Sequence, residues 1–483
     1  MNNDHLGLVA KVWNYAHVLR DAGVSYGDYV EQITCLLFLK MDQERTEFLG
    51  EPSIIPKELR WERLRGLSGE KLGTSYNRTL AALSRSDGLL GAIYLKAKNA
   101  IEDPARLQRL VQLIDGETWL GLEVDVKGAI YEGLLERNAA EVKSGAGQYF
   151  TPRPLIDAII EVVDPQPGRK VCDPACGTGG FLLQAYEHMK RHPRAKDKGV
   201  AAKLRRRTFT GFDIVPGVVR LAAMNLYLHG IGHGESPIAR ADALLADPGE
   251  KWTYVLTNPP FGRKQSFKVF TDDGDIETER EDYQRPDFQV TTSNKQLNFV
   301  QHVMTILEEN GTAAVVVPDN VLFEAGAGER IRRRLLDAFD CHTLLRLPTG
   351  IFYKPGVKAN VVFFDKRPAA ETPWTKNVWI YDFRTNQSFT LKERPLKRVH
   401  LDEFVKSARL ANRHKRKETE RFRRFAYADL IKRDKLNLDI FWLKDSSVDD
   451  GENLPPPDEI AAEIVENLEA ALERFRSVAG RLS

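Results

Sequence analysis

The chain of 483 residues is predicted to be an α/β protein, with a mostly parallel sheet between a helical N-terminal domain and a helical C-terminal region. Apolar residues recur at three- and four-residue spacing through the first 145 residues. Short apolar segments alternate with amphipathic ones from about residue 150, and a heptad pattern ends the chain. Strands that alternate with helices typically form parallel sheets covered on both faces.

The N-terminal domain, residues 1–145, is expected to be helical. One helical face carries the apolar residues Leu6, Val9, Val12, Trp13, Ala16 and Leu19. Further helices are predicted at 28–44, 77–98, 104–115 and 127–138. The domain contains no recognisable catalytic constellation, which favours a docking role.

The second domain, residues 146–400, alternates strands with helices. Strands are predicted at 170–173, 209–213, 239–242, 252–257 and 311–318, and helices at 181–190, 215–229 and 295–308. Ligands of such sheets bind beyond the carboxyl ends of the strands. We therefore expect one crevice to collect the strand-end residues Asp173, Asp213, Asp242 and Asn258. The polar segment between Gly262 and Lys295 shows no clear periodicity, which predicts either a mobile loop that closes over substrate or disorder.

The motif Asn258-Pro259-Pro260-Phe261 is the most informative stretch of the chain. Proline lacks an N–H group and holds the preceding residue extended, so nearby carbonyl oxygens are left without sheet partners. The Asn258 side chain adds an acceptor oxygen, and Phe261 adds a flat face. These groups suit an exocyclic amine on an aromatic base, whereas the simpler alternative is an Asn-Pro turn after a strand.

A glycine-rich turn follows the first predicted strand at 173–181, DPACGTGGF. Its glycines permit close approach of a ligand, and the helix that follows offers free N–H groups. The spacing is not GxGxxG, which disfavours a dinucleotide site. Asp213 can bind both hydroxyls of a ribose, and Asp242 can accept from an adenine amine, although each acid alone is more often a cap or a surface group. Their order between the glycine turn and the Asn258 motif favours function.

Together these motifs resemble those of S-adenosylmethionine-dependent amino-methyltransferases that make N6-methyladenine in DNA. The segment 147–153, GQYFTPR, resembles the further cofactor motif that precedes the glycine turn. With 356–364, GVKANVVFF, the pattern resembles the modification (HsdM) subunit of type I restriction-modification systems over about residues 1–480. The resemblance implies a Rossmann-like sheet of the S-adenosylmethionine-dependent methyltransferase type.

The resemblance also implies roles for individual residues. S-adenosyl-L-methionine would be held by Gln148, Tyr149, Phe150, Thr151, Pro152, Arg153, Asp173, Ala175, Gly177, Thr178, Gly179, Gly180 and Asp213, and its adenine by Asp242. Asn258 and the Pro259 carbonyl, in a motif stiffened by Pro260, would bind the target N6 amine. Phe261 would stack on the flipped base, and Phe352 or its competitor Tyr353 would cover the other face.

The implied activity is site-specific methylation of adenine in double-stranded DNA. Outside the tail, the chain after Phe364 has no repeat and no recognisable base-reading motif, so we expect a separate specificity (HsdS) subunit. A self-sufficient methyltransferase is the alternative. The family implies two modification subunits per specificity subunit and a restriction (HsdR) subunit for cleavage. Methylation of RNA or of a protein glutamine, and a non-catalytic cofactor-binding scaffold, are the competing functions.

The C-terminal region, residues 401–483, ends in a predicted helix at 458–483. Its apolar seam comprises Ala461, Ile464, Leu468, Ala471, Phe475, Val478 and Leu482. Such a heptad seam packs along another helix, either in a partner subunit or in this chain's own N-terminal domain. Two basic runs, 190–207 and 413–424, are either solvated surface or phosphate contacts.

Composition excludes several other classes of protein. Hydrophobic content of 42% and charged content of 29% are typical of globular proteins, and the net charge of +2 does not by itself indicate nucleic acid. No apolar run is long enough to span a membrane, and the N-terminus does not resemble a secretory signal. Four cysteines without a CxxC pair predict a reduced, cytoplasmic protein, and ten scattered histidines without ligand spacing predict no metal.

Overall fold

A computed structural model describes most of the chain. The described residues are 26–119, 151–232, 235–261, 266–270, 276–280, 283–352, 356–391, 393–409, 413, 415–444, 457, 459, 461–462, 464–465, 468–469 and 472. The predicted helices at 6–19 and 127–138 lie outside them, as do Gln148, Tyr149, Phe150 and Tyr353.

The chain divides into two compact units that are not continuous in sequence. Unit 1 comprises Met1–Gln148 and Gln166–Ala243, and unit 2 comprises Tyr149–Pro165 and Leu244–Ser483. The domain boundaries predicted from the sequence, at 1–145, 146–400 and 401–483, remain predictions.

Unit 1 combines the N-terminal helices with three strands. Its helices are α1 (Tyr26–Leu49), α2 (Trp61–Arg65), α3 (Gly69–Leu83), α4 (Gly88–Ile93), α5 (Pro104–Asp115), α7 (Gly180–Arg191), α8 (Lys198–Arg206) and α9 (Pro216–Leu228). Strands β1 (Val171–Asp173), β2 (Phe209–Asp213) and β3 (Ile238–Arg240) pair in parallel, in that order.

Helix α9 holds the N-terminal helices and the strands of unit 1 together. The buried guanidinium of Arg220 donates to the carbonyl oxygens of Ile93 and Leu95, and pairs with Glu31 at 2.7 Å. Tyr227 donates its hydroxyl to Asp42 at 3.0 Å. Because a buried cation needs partners for its donors, these contacts fix the helices on α9.

Among the described residues, the main sheet of unit 2 has six strands in the order β11-β10-β8-β9-β7-β4. They are β4 (Trp252–Thr257), β7 (Leu307–Pro318), β8 (Phe339–Arg346), β9 (Ala359–Lys366), β10 (Asn377–Asp382) and β11 (Phe422–Ala426). Strand β7 is parallel to β4, and β10 is parallel to β8. Strand β9 lies antiparallel between β7 and β8, and β11 is antiparallel to β10. The sheet of unit 2 is therefore mixed, although the sequence predicts a mostly parallel one.

The helices of unit 2 include one contributed by the segment that precedes β1. They are α6 (Arg153–Val163), α10 (Lys295–Ile306), α11 (Asn320–Phe323), α12 (Ala327–Ala338), α13 (Asp402–Ala408) and α14 (Tyr427–Leu430). Helix α6 buries Leu155, Ile159 and Val163 and is tied by Glu161 to Arg398 at 2.6 and 2.8 Å. Thr151, directly before this helix, consequently belongs to unit 2.

Among the described residues, most predicted strands and helices are confirmed, and two predictions are wrong. Strands β2 and β4 and helix α5 have the predicted bounds. The single helix expected at 77–98 is two helices, because Gly88 has a left-handed φ of 65° that a continuous helix does not contain. The segment expected to be a loop contains an antiparallel hairpin of β5 (Ser266–Phe270) and β6 (Ile276–Arg280). Its sequence signal was the Asp273-Gly274 pair, which is typical of a hairpin turn and follows the alternating segment 266–269.

Candidate active site

The glycine turn of unit 1 joins β1 to α7. Gly177 and Gly179 have φ angles of 52° and 81°, in the left-handed region that favours glycine. A Cβ atom at Gly177 would meet nothing within 4 Å, so the turn leaves open space beside its backbone. Helix α7 begins without a side-chain cap, and Asn225 on α9 holds the turn by donating to the Thr178 carbonyl at 3.0 Å. The turn therefore offers N–H groups to a ligand from a fixed backbone.

Three carboxylates follow the three parallel strands of unit 1. Asp173 ends β1 and is buried, and its Oδ1 accepts from the Ala175 N–H at 3.0 Å. Asp213 ends β2, and its Oδ1 accepts from the Val215 N–H at 2.9 Å. Asp242 lies two residues beyond the end of β3, whose Arg240 is in register with Asp213. The structure thus brings the three predicted acids to the carboxyl edge of this part of the sheet.

The environment of Asp213 changes its proton affinity. Burial raises the pKa of this carboxyl, while N–H groups of Val215, Gly177 and Ile214 oppose the rise. Burial, followed by the charges of Asp173 and Asp213, raises the pKa of the Cys176 thiol well above its usual value. This raised pKa favours the neutral thiol of Cys176, which is buried at this edge.

The Asn258 motif lies directly after β4 in unit 2. Asn258 and Pro259 are buried, Pro260 is exposed, and the described residues contain no cis peptide bond. The Asn258 Nδ2 donates to the Thr151 Oγ1 at 2.8 Å, across 107 residues of sequence. In this contact the amide nitrogen is the donor, and the acceptor of the side chain is its oxygen, Oδ1.

Two aromatic rings lie beside this motif. Phe261 and Phe352 have ring centroids 6.2 Å apart and an interplanar angle of 70°, an edge-to-face contact. Phe352 is only 3% exposed, whereas Phe261 is half-buried. A base stacked between two parallel rings needs about 7 Å between the ring planes, because each stacked contact takes about 3.5 Å. A base between these rings therefore requires them to move apart, and the roles of both phenylalanines stay predictions.

A charged network at the carboxyl edge of unit 2 was not predicted. Arg384 donates twice to the carboxylate of Asp319, each at 2.7 Å. The same guanidinium donates to the carbonyls of Leu347 and Ala359, at 2.8 and 3.0 Å. These carbonyls bracket the segment that carries Phe352, so the network holds both ends of that segment. The only sequence signal was Asp319 at the end of the apolar run of β7.

The two basic runs differ in the structure. All nine Lys and Arg side chains of 190–207 are exposed. In the second run, by contrast, Arg413 pairs with Asp365 at 2.6 Å and with Asp340, and Arg416 donates to the carbonyl of His342 at 3.1 Å. Arg413 and Arg416 are thus structural groups and not solvated surface.

Metal sites and membrane spans were searched among the described residues alone. In that part of the chain no group of three or more His, Cys, Asp or Glu side chains is arranged to hold a metal ion. Nor does it contain a helix with the length and hydropathy that a membrane span requires.

Two protein families match this chain. The family described as N-6 DNA Methylase matches residues 122–447, and the HsdM N-terminal domain matches residues 8–115. The first match covers well over half of the chain. It defines the class of the protein as a DNA methyltransferase specific for the N6 position of adenine.

Individual relatives narrow the class. The methylase subunits of the type I restriction enzymes StySJI of Salmonella typhimurium and EcoKI of Escherichia coli K12 are each 39% identical to the chain, over 98% of its length and 94% of theirs. A modification subunit of a putative type I restriction enzyme from Vibrio vulnificus has a similar structure, with a TM-score of 0.72 and 25% identity over 90% of this chain and 95% of that one. The chain belongs to the methylase (HsdM) subunits of type I restriction-modification systems.

Proposed function

We propose that this chain transfers the methyl group of S-adenosylmethionine to the N6 amine of an adenine flipped out of double-stranded DNA. The observation that carries the proposal is the Asn258 side chain at the end of β4, whose amide nitrogen is engaged by Thr151. This geometry presents the amide oxygen as an acceptor for an amine hydrogen. The neighbouring Pro259 carbonyl is the second acceptor.

The residues of unit 1 fit S-adenosylmethionine. The open space beside Gly177 and the uncapped start of α7 suit the carboxylate end of an amino acid. Asp213 would accept from the ribose hydroxyls and Asp242 from the adenine amine, with Asp173, Ala175, Thr178, Gly179 and Gly180 forming the surrounding turn. By family resemblance, residues 148–153 would complete the site. The cofactor would supply an electrophilic sulfonium methyl group.

The chain's own residues would activate the amine. The N6 lone pair of adenine is delocalised into the ring and is a weak nucleophile. Two acceptors on its hydrogens favour a pyramidal nitrogen with a localised lone pair, and they stabilise the positive charge that develops there. Alignment of the amine with the methyl group lowers the barrier further. No covalent intermediate with the protein is needed.

The target base must leave the duplex before it can react. Flipping costs a few kcal/mol of pairing and stacking energy. Stacking on Phe261 would return about 1–3 kcal/mol of this cost. A ring that stacks on any base does not select a sequence, so the DNA site would be read elsewhere.

We further propose that a separate specificity subunit reads the site. Two modification subunits would bind one specificity subunit, and a restriction subunit would join them for cleavage. The seam of the tail supports docking, because Ile464 and Leu468 are 52% and 63% exposed among the described residues. Exposed apolar residues at heptad spacing favour a partner helix over packing within the chain.

The test is transfer of labelled methyl groups to DNA by the full-length chain, with and without its candidate specificity subunit, followed by nucleoside analysis. The proposal expects the label in N6-methyladenine. Label in RNA, in cytosine or in a protein amide would refute it, and transfer without the partner would favour a self-sufficient enzyme.

Substitution of Asn258 tests the site itself. Asn258→Ala removes one acceptor of the developing charge, so we expect kcat to fall by about 10²–10³-fold, with cofactor binding largely retained. The matched control is Asn298→Ala, which removes another buried amide whose Nδ2 donates to the Thr292 carbonyl at 2.7 Å, outside the site. Equal activity of the two variants would exclude the proposed role of Asn258.

A further inference from the structure

We infer that Thr151 is a positioning residue, whose hydroxyl sets the rotation of the Asn258 amide. The inference rests on the proposed function, because it concerns the acceptor that Asn258 presents to the amine. It departs from the family resemblance, which places Thr151 among the cofactor contacts. In the structure the Thr151 hydroxyl accepts from the Asn258 Nδ2 at 2.8 Å.

Both ends of this hydrogen bond are held rigidly. Thr151 lies directly before α6, where the Pro152 carbonyl accepts from the N–H groups of Leu155 and Ile156 at 2.9 and 3.1 Å. As a β-branched residue, Thr151 also has few rotamers. Asn258 follows the buried Thr257 of β4 and precedes Pro259, which restricts its backbone to extended geometry. The hydroxyl is therefore a fixed reference point for the amide.

The rotation of the amide decides whether the site functions. One end of an asparagine amide accepts hydrogen bonds, and the other end donates them. If the amide turned by half a rotation, its N–H groups would face the N–H groups of the target amine. Amide orientation is not fixed by sterics, because the oxygen and the NH₂ group are nearly equal in size. It is therefore fixed by hydrogen-bonding partners, and the Thr151 hydroxyl, which can donate or accept, here accepts from the Nδ2 end.

Burial makes Thr151 hard to replace as that partner. Thr151 is 7% exposed and Asn258 is 9% exposed. Loss of the hydroxyl would remove this acceptor of the Nδ2 in a poorly hydrated environment, where a lost hydrogen bond is costly. The amide would then rotate or shift to satisfy its donors, and the acceptor would leave the amine.

The test compares Thr151→Val, which removes the hydroxyl at nearly constant volume, with Thr151→Ser, which keeps it. The full-length chain with its specificity subunit is assayed for kcat on target DNA, and cofactor affinity is measured separately by equilibrium binding. We expect Thr151→Val to lower kcat by about 5- to 30-fold, the equivalent of about 1–2 kcal/mol, with unchanged cofactor affinity. Thr151→Ser should retain most of kcat.

The opposite pattern of effects on kcat and on cofactor affinity would overturn the inference. Weaker cofactor binding by Thr151→Val would make Thr151 a cofactor contact, and unchanged kcat would remove its role altogether. A folded but inactive Thr151→Ser would also count against it. Thermal unfolding checks folding, and Thr151→Ala replaces the valine variant if that variant does not fold. A wild-type chain that makes no N6-methyladenine would instead refute the proposed function.

Two comparisons separate positioning from general structural damage. Thr312→Val removes a hydroxyl of equal burial that donates to Asp365 at 2.9 Å, and it should lower stability but not kcat. In Asn258→Asp both side-chain oxygens are acceptors, so rotation no longer matters. Thr151→Val should therefore cost less kcat in that background. An equal loss in both backgrounds would contradict a role in orienting the amide.

Discussion

Arg384 is predicted to be among the more important charged residues for the stability of unit 2. Its side chain is 13% exposed and that of its partner Asp319 is 17% exposed. Arg384→Gln would remove two charge-assisted hydrogen bonds to Asp319 and two bonds to backbone carbonyls. Removal of one partner from a buried ion pair costs about 3–5 kcal/mol. Because this pair retains some exposure, we expect a loss of about 3 kcal/mol.

The measurement is the free energy of unfolding in urea, followed by tryptophan fluorescence. The matched control is Arg333→Gln, because Arg333 pairs with Glu329 at 3.5 Å with side chains 47% and 36% exposed. Such a surface pair contributes about 0–1 kcal/mol. If the two variants lost equal stability, or if Arg384→Gln lost less than the control, the role assigned to this network would be wrong.

The pH dependence provides a second readout of the same pair. Burial acts to raise the pKa of Asp319, but the hydrogen bonds from Arg384 outweigh it and hold the pKa below its ordinary value of 3.8. A carboxyl with a lowered pKa contributes stability above its unfolded pKa and loses it as the pH falls through the folded value. The difference between wild type and Arg384→Gln should therefore narrow below pH 3.8.

Three further predictions concern stacking, acid stability and assembly. Phe261→Ala should weaken stacking of the flipped base by about 1–3 kcal/mol, seen as lower fluorescence of 2-aminopurine at the target position, and Phe261→Trp should restore it. Burial, aided by the charge of Arg285, lowers the pKa of His302 to about 3. The free energy of unfolding should therefore fall as the pH drops below 6.5, by up to about 1.4 kcal/mol per pH unit. His302→Gln should flatten this fall, as measured by urea unfolding at several pH values. Deletion of 458–483, or Leu468→Asp, should abolish binding to the specificity subunit in gel filtration while sparing cofactor binding.

Each of these predictions has its own control. A Phe261→Ala variant with full 2-aminopurine fluorescence would show that the ring does not support the flipped base. Parallel pH profiles of wild type and His302→Gln would mean that folding does not lower the pKa of His302. For the tail, Leu245→Asp changes a residue that is 67% exposed outside the seam, and it should leave assembly intact. An unchanged complex after deletion would refute the docking proposal.

The elements that could be predicted from the sequence are those with local signals. Strands β2 and β4 are apolar runs that end at a polar residue, and α5 begins at Pro104 after a capping Asp103, a local start signal. The strands β8, β9, β10 and β11 were not predicted. Strand β9 is buried on both faces between two antiparallel neighbours, so its sequence shows no alternation that would separate it from a helix. The direction of a strand depends on its partners and has no local signal.

The same distinction applies to the candidate site. Asp173, Asp213 and Asn258 could be predicted as site residues because each lies at or directly after the end of a strand, and a strand end is visible in one stretch of sequence. The partner of Asn258 was not found, since Thr151 lies 107 residues away and its motif resembles a cofactor site. A motif reveals the kinds of groups that are present, whereas the direction in which an amide points depends on a contact formed only in the folded chain. Positioning residues such as Thr151 are therefore the part of an active site that resemblance alone assigns least well, and the valine and serine variants address that part directly.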